Sequence, residues 1–169
     1  MRYGPFFMPK GQLRFPPTSE QTRISGHPMP KFEGSCHCGK LRLTFVTLSK
    51  AAALPVRECG CSFCRKHGAR TMTDPDGTAV IEVEPDALNA YQFGFGTADF
   101  MVCNGCGAYM GAFFDDAGSG YATLNINVFN DRLDFSRSAD SANYDAEDAE
   151  GRKVRRRARW TPAILKHLT

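Results

Sequence analysis

Seven cysteines in three tight groups constrain this chain more than any other feature of its sequence. The groups are Cys36 and Cys38, then Cys59, Cys61 and Cys64, then Cys103 and Cys106. Cysteines two or three positions apart on a tight turn can direct their thiolates at one metal ion. An odd number of cysteines cannot all pair as disulfides within one chain. The pattern therefore predicts metal binding, and thiolate ligands favour zinc.

The number of thiolates favours two zinc ions per chain. A structural zinc takes four protein ligands, whereas a catalytic zinc takes three and keeps one position for water or substrate. The middle group supplies three ligands by itself, and the two outer groups together supply four. Gly39 and Gly107, which follow Cys38 and Cys106, let the backbone turn back and direct amide N–H groups at sulfur. Other partitions stay open, because the sequence does not show which turns lie side by side.

Other interpretations of these residues are weaker. Cys103 and Cys106 have the spacing of a redox pair, but no βαβ pattern of the thioredoxin type surrounds them. Inert, buried cysteines rarely fall into three tight groups. His37 lies between Cys36 and Cys38, which are themselves predicted metal ligands, so we do not expect His37 to bind metal. His67, three residues after Cys64, is either a neighbour of the three-cysteine site or a solvated histidine at a helix end.

The sequence shows no signal for secretion or membrane insertion. No segment reaches the ~18 consecutive apolar residues of a transmembrane helix, and the basic N-terminus lacks a following apolar segment. We therefore expect a cytoplasmic protein without a membrane partner. In that reducing compartment, clustered cysteines indicate metal or redox chemistry rather than structural disulfides.

The organisation along the chain predicts an arm followed by one domain. Six of the ten prolines fall within residues 1–33, which predicts an extended N-terminal arm. Residues 34–169 change to short β-runs and are predicted to form the zinc-binding domain. Leu41, Leu43 and Phe45 alternate with polar residues, as in a half-buried strand. Further strands are predicted over residues 79–84, 91–95 (from the alternating Tyr91, Phe93 and Phe95), 110–114, 121–129 and 132–135.

Helical signals are sparse. Ser62 is a predicted N-cap for a single turn that ends at Gly68. Thr161 and Pro162 have the order of an N-cap and first helical residue, which predicts a short helix reaching Leu168. We therefore predict a mainly β fold of two small sheets, with metal sites at their ends and few short helices.

Charge is distributed unevenly, although the net charge is only +3. An acidic segment over residues 140–150 precedes a basic block of Arg152, Lys153, Arg155, Arg156, Arg157 and Arg159. A basic block can attract anions, but the neighbouring acidic segment can also neutralise it as a solvated strand or tail. We expect neutralisation. Trp160 is the only aromatic residue beside the arginines for base stacking, so nucleic acid is not an expected partner.

Three motifs carry a family resemblance. They are Gly-Ser-Cys-His-Cys-Gly-Lys-Leu at 34–41, Cys-x-Cys-Ser-x-Cys-Arg-x-x-Gly-Ala at 59–69 and Cys-x-x-Cys-Gly at 103–107. In this order they resemble the glutathione-dependent formaldehyde-activating enzyme family, which also includes centromere protein V. The resemblance covers about residues 32–135. The chain departs from the family pattern in two places, because Gly60 stands where that motif often has histidine and the N-terminal arm is longer.

The resemblance implies a fold of the β-tent type with two small antiparallel sheets. It implies a structural zinc held by Cys36, Cys38, Cys103 and Cys106. It implies a catalytic zinc held by Cys59, Cys61 and Cys64. The implied activity, of the carbon–sulfur lyase type, forms S-hydroxymethylglutathione from glutathione and formaldehyde. The expected partners are therefore a small thiol such as glutathione and an aldehyde.

Two questions stay open at the level of sequence. Arg65, Lys66 and the basic block are candidates to bind the carboxylates of glutathione, although no motif for glutathione contacts is present. The alternative function is a zinc-stabilised module without turnover that binds protein or nucleic acid. An open position at the Cys59 group favours the enzyme, and a closed group favours the module. The sequence does not indicate an oligomeric state.

Overall fold

Strands dominate residues 23–24, 27–135 and 138–169, the part of the chain that this computed structural model describes. The strands there are β1 (Arg23–Ile24), β2 (His27–Pro28), β3 (Lys31–Ser35), β4 (Leu41–Val46), β5 (Val56–Cys59), β6 (Thr71–Met72), β7 (Thr78–Val83), β8 (Leu88–Tyr91), β9 (Asp99–Cys103), β10 (Tyr109–Asp116), β11 (Ser119–Asn125), β12 (Asp140–Ala142) and β13 (Thr161–His167). The α-helices are α1 (Ser62–Lys66) and α2 (Ala149–Arg159). Short 3-10 helices cover Ala51–Ala53, Ile126–Val128 and Arg132–Asp134. The prediction of a mainly β fold with few helices is confirmed.

Eleven of these strands belong to one large sheet rather than to two small ones. Its main path runs β12-β5-β6-β11-β13-β7-β4-β3, and β10, β9 and β8 extend from β11 in that order. The short strands β1 and β2 pair only with each other. Most pairs are antiparallel, as expected, but β12 pairs in parallel with β5 and β13 in parallel with β7.

The strand β13 joins the two halves of the sheet. Its first residues, Thr161 and Pro162, pair with β11, and residues 163–167 pair with β7. The helix predicted from Thr161 to Leu168 is therefore wrong. Proline is tolerated at the start of a strand as well as at the start of a helix. The segment forms a strand because β11 and β7 are available as hydrogen-bonded neighbours. A local sequence pattern does not show such long-range pairing.

Two further local predictions are also wrong. The strand predicted through Tyr91, Phe93 and Phe95 ends at Tyr91, because Gly94 and Gly96 take positive φ angles of 62° and 61° and turn the chain. The segment 132–135, predicted as a strand, begins with a 3-10 helix.

The strand predicted over residues 121–129 is correct only in its first part. β11 ends at Asn125, whose side chain accepts a hydrogen bond from the Asn127 N–H and starts a 3-10 turn. Residues 126–128 therefore leave the sheet.

The basic block forms the helix α2. Asp148 caps it by accepting a hydrogen bond from the Gly151 N–H at 2.7 Å. Glu150 lies in the first turn and three arginines lie in the last, an order that complements the helix dipole. These local signals were present in the sequence but were interpreted only as charge.

An aromatic core fills the concave side of β3 and β4. Leu41, Leu43 and Phe45 are buried at alternate positions of β4, which confirms the predicted strand. The Phe45 and Phe129 rings lie 6.3 Å apart, and Phe129 lies 4.9 Å from Phe135. Each fully buried side chain of this size contributes roughly 1.5–3 kcal/mol to folding. This cluster therefore fixes the position of the segment after β11 against the sheet.

A buried carboxylate fixes the start of β13. Asp74 accepts hydrogen bonds from the Thr47 hydroxyl and the Asp76 N–H, and its own N–H donates to the Thr161 hydroxyl at 2.9 Å. All its contacts are therefore made within the fold, as a buried charged group requires.

The sheet begins before the predicted boundary between the N-terminal arm (residues 1–33) and the domain (residues 34–169). β3 begins at Lys31 and pairs with β4, so residues 31–33 of the predicted arm belong to the sheet. Residues 1–22 of that arm lie outside the described residues.

Among the described helices, none combines the length and apolarity needed to cross a membrane.

The contact between β11 and β13 generates a test of the fold. A Cβ atom on Gly120 would lie 2.3 Å from the Ala163 carbonyl oxygen and 2.6 Å from the Phe113 ring. We expect Gly120→Ala to lower the free energy of unfolding by about 2–3 kcal/mol. The matched control is Gly118→Ala in the same hairpin, where only the positive φ of 92° opposes alanine and about 1 kcal/mol is expected. Urea denaturation measures both, and equal losses would contradict the close approach.

Candidate functional site

The structure brings the cysteines together in two separate groups. Within each group, the sulfur atoms all lie within 4.8 Å of one another. One group contains Cys36, Cys38, Cys103 and Cys106, and the other contains Cys59, Cys61 and Cys64. This is the four-plus-three division expected from the sequence. All seven cysteines are free thiols, so the donor set in each group suits a soft or borderline cation such as zinc.

The four-cysteine group is formed by two tight turns at the ends of β3 and β9. The Cys38 sulfur lies 3.6 Å from that of Cys36 and 3.5 Å from that of Cys103. Four sulfurs at ~2.3 Å from one zinc ion would be about 3.8 Å apart. The observed separations are therefore close to those of a tetrahedral site, and the residues fit the metal.

Backbone N–H groups point at the sulfurs of this group. The Leu41 N–H donates to the Cys36 sulfur at 3.2 Å. The N–H groups of Ala108 and Cys38 lower the pKa of the Cys106 thiol to about 6, whereas burial raises the pKa of Cys103 to about 12. Such N–H groups stabilise the thiolate that a metal ion requires. The positive φ angles of Gly39 and Gly107, 80° and 73°, permit both turns.

The three-cysteine group lies where β5 passes into α1. Cys59 ends β5, and Cys61, not the predicted Ser62, caps α1 by accepting a hydrogen bond from the Cys64 N–H at 3.4 Å. A hydrogen bond from Cys64 lowers the pKa of Cys59 to about 6, with a smaller contribution from the positive charge of Arg155. The same bond, together with burial, raises the pKa of Cys64 well above its usual range. One thiolate is therefore favoured in this group even without metal.

The second group faces a cavity. All three of its cysteines line a cavity of about 100 Å³, whereas none of the four outer cysteines does. A single water needs ~10–15 Å³ by the same measure, so a small organic molecule can enter. The first group thus offers four donors that could complete a tetrahedral coordination, and the second offers three donors beside a cavity.

Comparison with known proteins gives a family match and a structural neighbour. A model of the glutathione-dependent formaldehyde-activating enzyme family matches residues 31–145. The chain belongs to this family. Among solved structures, a crystal structure of a Rhodobacter sphaeroides protein, a Northeast Structural Genomics target, is 30% identical, with a TM-score of 0.47 over 59% of this chain and 88% of that one. The family match includes all seven cysteines and ends before α2.

Aromatic side chains form one wall of the cavity in this family member. The Phe63 ring lies 5.6 Å from Phe93, 4.9 Å from Phe100 and 5.1 Å from Tyr109. The turn after β8 brings Phe93 to this wall, although the sequence predicted a continuous strand there. His67 is exposed and packs in a tilted arrangement against Phe63, with ring centres 4.4 Å apart, and it is not part of the group of three sulfurs. His37 is exposed as well.

Tyr109 is the main residue of the site that sequence reasoning missed. It is buried beside the three cysteines and lines the cavity. Burial and the nearby thiolates raise the pKa of Tyr109 well above its usual value, so the phenol keeps its proton at neutral pH. In the sequence it was only a position next to the predicted strand 110–114. No sequence signal distinguished it from a core aromatic residue.

The basic block is divided between the protein surface and the cavity. Arg152, Arg155 and Arg156 line the cavity, whereas the earlier candidates Arg65 and Lys66 are exposed and do not. The expected neutralisation of the basic block by acidic residues therefore does not account for all of the arginines that line the cavity.

Two surface members of the block, Lys153 and Arg157, pair with acids, and of these acids Glu150 belongs to the expected segment 140–150 whereas Asp116 does not. Arg157 pairs with Asp116 and Glu150, and Lys153 pairs with Glu150. Of the cavity arginines, Arg155 pairs with Glu147 at 2.8 Å. Exposed pairs of this kind contribute little to stability.

Metal content tests the division of the cysteines. We expect protein purified without chelator to hold up to two zinc ions per chain, because both donor sets fit zinc. The ion at the three-cysteine group should leave first on titration with a chelator, since that group faces the cavity. Elemental analysis along the titration measures both steps. A complete absence of zinc would contradict the assignment.

Matched serine variants test the roles of the two groups. We expect Cys106→Ser to lower the midpoint of thermal unfolding by about 10 °C or more, because a structural zinc contributes folding free energy. Cys61→Ser preserves a good N-cap for α1 and should change the midpoint by no more than about 3 °C. Thermal denaturation monitored by circular dichroism measures both. Equal destabilisation would show that the two groups do not differ in role.

Proposed function

We propose that this protein is a zinc-dependent enzyme of the carbon–sulfur lyase type, which joins a thiol such as glutathione to an aldehyde such as formaldehyde. Membership of the formaldehyde-activating family supports this class of chemistry. The observation that carries the proposal is that three cysteines with one cavity lie apart from a second, four-cysteine group. Three protein ligands leave a zinc ion with an exchangeable position, which is typical of catalytic rather than structural sites.

In this proposal each group of cysteines holds one zinc ion. Cys36, Cys38, Cys103 and Cys106 hold the structural ion, and Cys59, Cys61 and Cys64 hold the catalytic one. The catalytic zinc, when bound, supplies Lewis acidity and a coordination position open to exchange. The protein supplies the three thiolates, the cavity and the groups that orient the two reactants.

The reaction itself is an addition without net oxidation. The sulfur of the thiol forms a bond to the carbonyl carbon, the carbonyl π bond breaks, and the proton from the thiol ends on the former carbonyl oxygen. With glutathione and formaldehyde the product is S-hydroxymethylglutathione. Tyr109 is suited to donate a hydrogen bond to that oxygen, because its phenol lines the cavity and stays protonated.

The aromatic wall supports the same reaction by limiting water. Phe93, Phe100 and Tyr109 line the cavity together with the cysteines. Apolar rings beside the reacting groups reduce the number of competing water molecules and strengthen electrostatic contacts. A binding module without turnover would not need such an enclosed space at its metal site.

Three earlier predictions form part of this proposal. We propose that the reaction takes place in the cytoplasm, where glutathione is abundant. Residues 34–169 serve as the catalytic domain and residues 1–33 as an arm. Nucleic acid is not a partner, because the surface cations Lys153 and Arg157 of α2 already pair with carboxylates.

Adduct formation tests the proposed function. Purified zinc-loaded protein is mixed with glutathione and formaldehyde, and exchange NMR measures the rate of adduct formation above the uncatalysed rate. We expect acceleration by the wild type and none by Cys61→Ser. Arg159→Gln, at an exposed end of α2, is the control and should match the wild type. Equal rates with and without protein would contradict the enzyme and favour the zinc-stabilised module.

The role of Tyr109 has its own test. We expect Tyr109→Phe to lower kcat by about tenfold to a hundredfold, because the hydrogen bond to the developing oxygen charge is lost. The KM for the thiol and the zinc content should change little, since the ring and all cysteines remain. Steady-state kinetics with metal analysis measure these quantities. An unchanged kcat would remove Tyr109 from the mechanism.

A further inference from the structure

Three arginines line the cavity without a carboxylate partner among the described residues: Arg57, Arg152 and Arg156. Arg57 donates to the Thr73 hydroxyl at 2.9 Å. Arg152 donates to two backbone carbonyl oxygens, of Glu147 and Tyr144. These are neutral acceptors, so the positive charges of the three guanidinium groups are not balanced by direct ion pairs.

Arg156 is the most unusual of the three. Its side chain belongs to a residue that is only 6% exposed. Nη1 donates to the carbonyl and hydroxyl oxygens of Thr97 at 2.6 and 2.7 Å, whereas Nε is buried without an acceptor. Burial lowers the pKa of Arg156 to about 10, so the group is still a cation at neutral pH. A buried cation without a counterion is unfavourable.

Aromatic rings hold the Arg156 guanidinium in place. Its central carbon lies 5.0 Å from the centre of the Trp160 ring and 5.6 Å from that of Phe114. Such contacts stabilise a cation but do not satisfy its N–H donors. A planar guanidinium that is held in a fixed orientation and lines a cavity is suited to bind a carboxylate.

The charges around the cavity leave room for one further anion. Four arginines line it, and Arg155 is neutralised by Glu147. Asp145 also lines the cavity, but it is exposed and makes no ion pair with the described part of the chain. A zinc ion bound by three thiolates has a net charge of −1. Arg57, Arg152 and Arg156 together carry three positive charges. Asp145 and the zinc site together carry two negative charges, so one positive charge remains.

We propose that the substrate carries a carboxylate group, which binds to Arg156 with Arg152 and Arg57 while the reacting end of the substrate lies at the three cysteines. This inference rests on the proposed function and adds a requirement to it. Arg152 and Arg156 belong to α2, which follows the segment matched by the family model. The carboxylate subsite is therefore a feature of this chain's own C-terminal segment.

The carboxylate can belong to the thiol or to the aldehyde, and paired substrates distinguish the two. N-acetylcysteine and N-acetylcysteamine differ only in a carboxylate, and each is tested with formaldehyde. Glyoxylate and acetaldehyde form the corresponding pair of aldehydes, each tested with N-acetylcysteamine. We expect the acid in one of the two pairs to have a KM at least about tenfold lower, as a charge-assisted hydrogen-bonded pair provides.

Variants of α2 assign this preference to the arginines. In Arg152→Gln and in Arg156→Lys, the ratio of KM values between the acid and its carboxylate-free analogue should fall to within about twofold. Arg152 is half-buried, so its variant is informative even if Arg156→Lys folds poorly. The exposed control Arg159→Gln should keep the wild-type ratio. Zinc content is measured for every variant.

Two results would contradict the carboxylate subsite without contradicting the proposed function. Equal KM values within both pairs for the wild type would overturn the subsite. An unchanged KM ratio in zinc-loaded arginine variants would also overturn it; if these variants bind zinc more weakly, the arginines only balance the charge of the metal site.

If no pair reacts faster than without protein, the test with glutathione and formaldehyde still decides the proposed function, and calorimetry decides the subsite. The probe is S-methyl-N-acetylcysteine, which has the carboxylate but no free thiol. Binding to the wild type that is lost in Arg152→Gln supports the subsite, and equal or absent binding in both overturns it.

Discussion

Mutual repulsion between thiolates is the constraint on which the rest of the structure depends. In the four-cysteine group, turns 65 residues apart place the sulfurs of Cys38 and Cys103 only 3.5 Å from each other. Such a cluster of thiolates is stable only when a cation or retained protons balance its charge. The ends of β3 and β9 meet at this point, so the need to balance the charge of these cysteines is tied to the relation between distant strands.

The sheet places the three-cysteine group beside the cavity. β5 carries Cys59 to the cavity, and α1 directs Cys64 towards the same point. β10 supplies Tyr109, and α2 closes the cavity with its arginines. These four elements come from three separate parts of the chain, because β5 and α1 are consecutive. Their meeting at one cavity explains how a mainly β protein builds an enclosed site with little helical structure.

The sequence predicted the site better than the fold, for physical reasons. Metal ligation is set by residue type and short spacing, so the three cysteine turns could be identified locally, whereas the joining of the first turn with the third followed from the ligand count and the family resemblance. The alternation in β4 was equally local. By contrast, β13 is a strand because β7 and β11 are available for pairing, and Tyr109 matters because the chain places it beside Cys64. The inward direction of Arg156 likewise depends on the packing of α2, which charge alone does not reveal.

The position of β13 has a consequence for how the protein can be divided. The family match ends at residue 145, yet the chain then forms one wall of the cavity and the strand that links both halves of the sheet. A fragment cut at the end of the match would retain every cysteine but lose the neighbour that β7 and β11 share. The segment matched by the family model and the hydrogen-bonded sheet of this protein therefore have different boundaries.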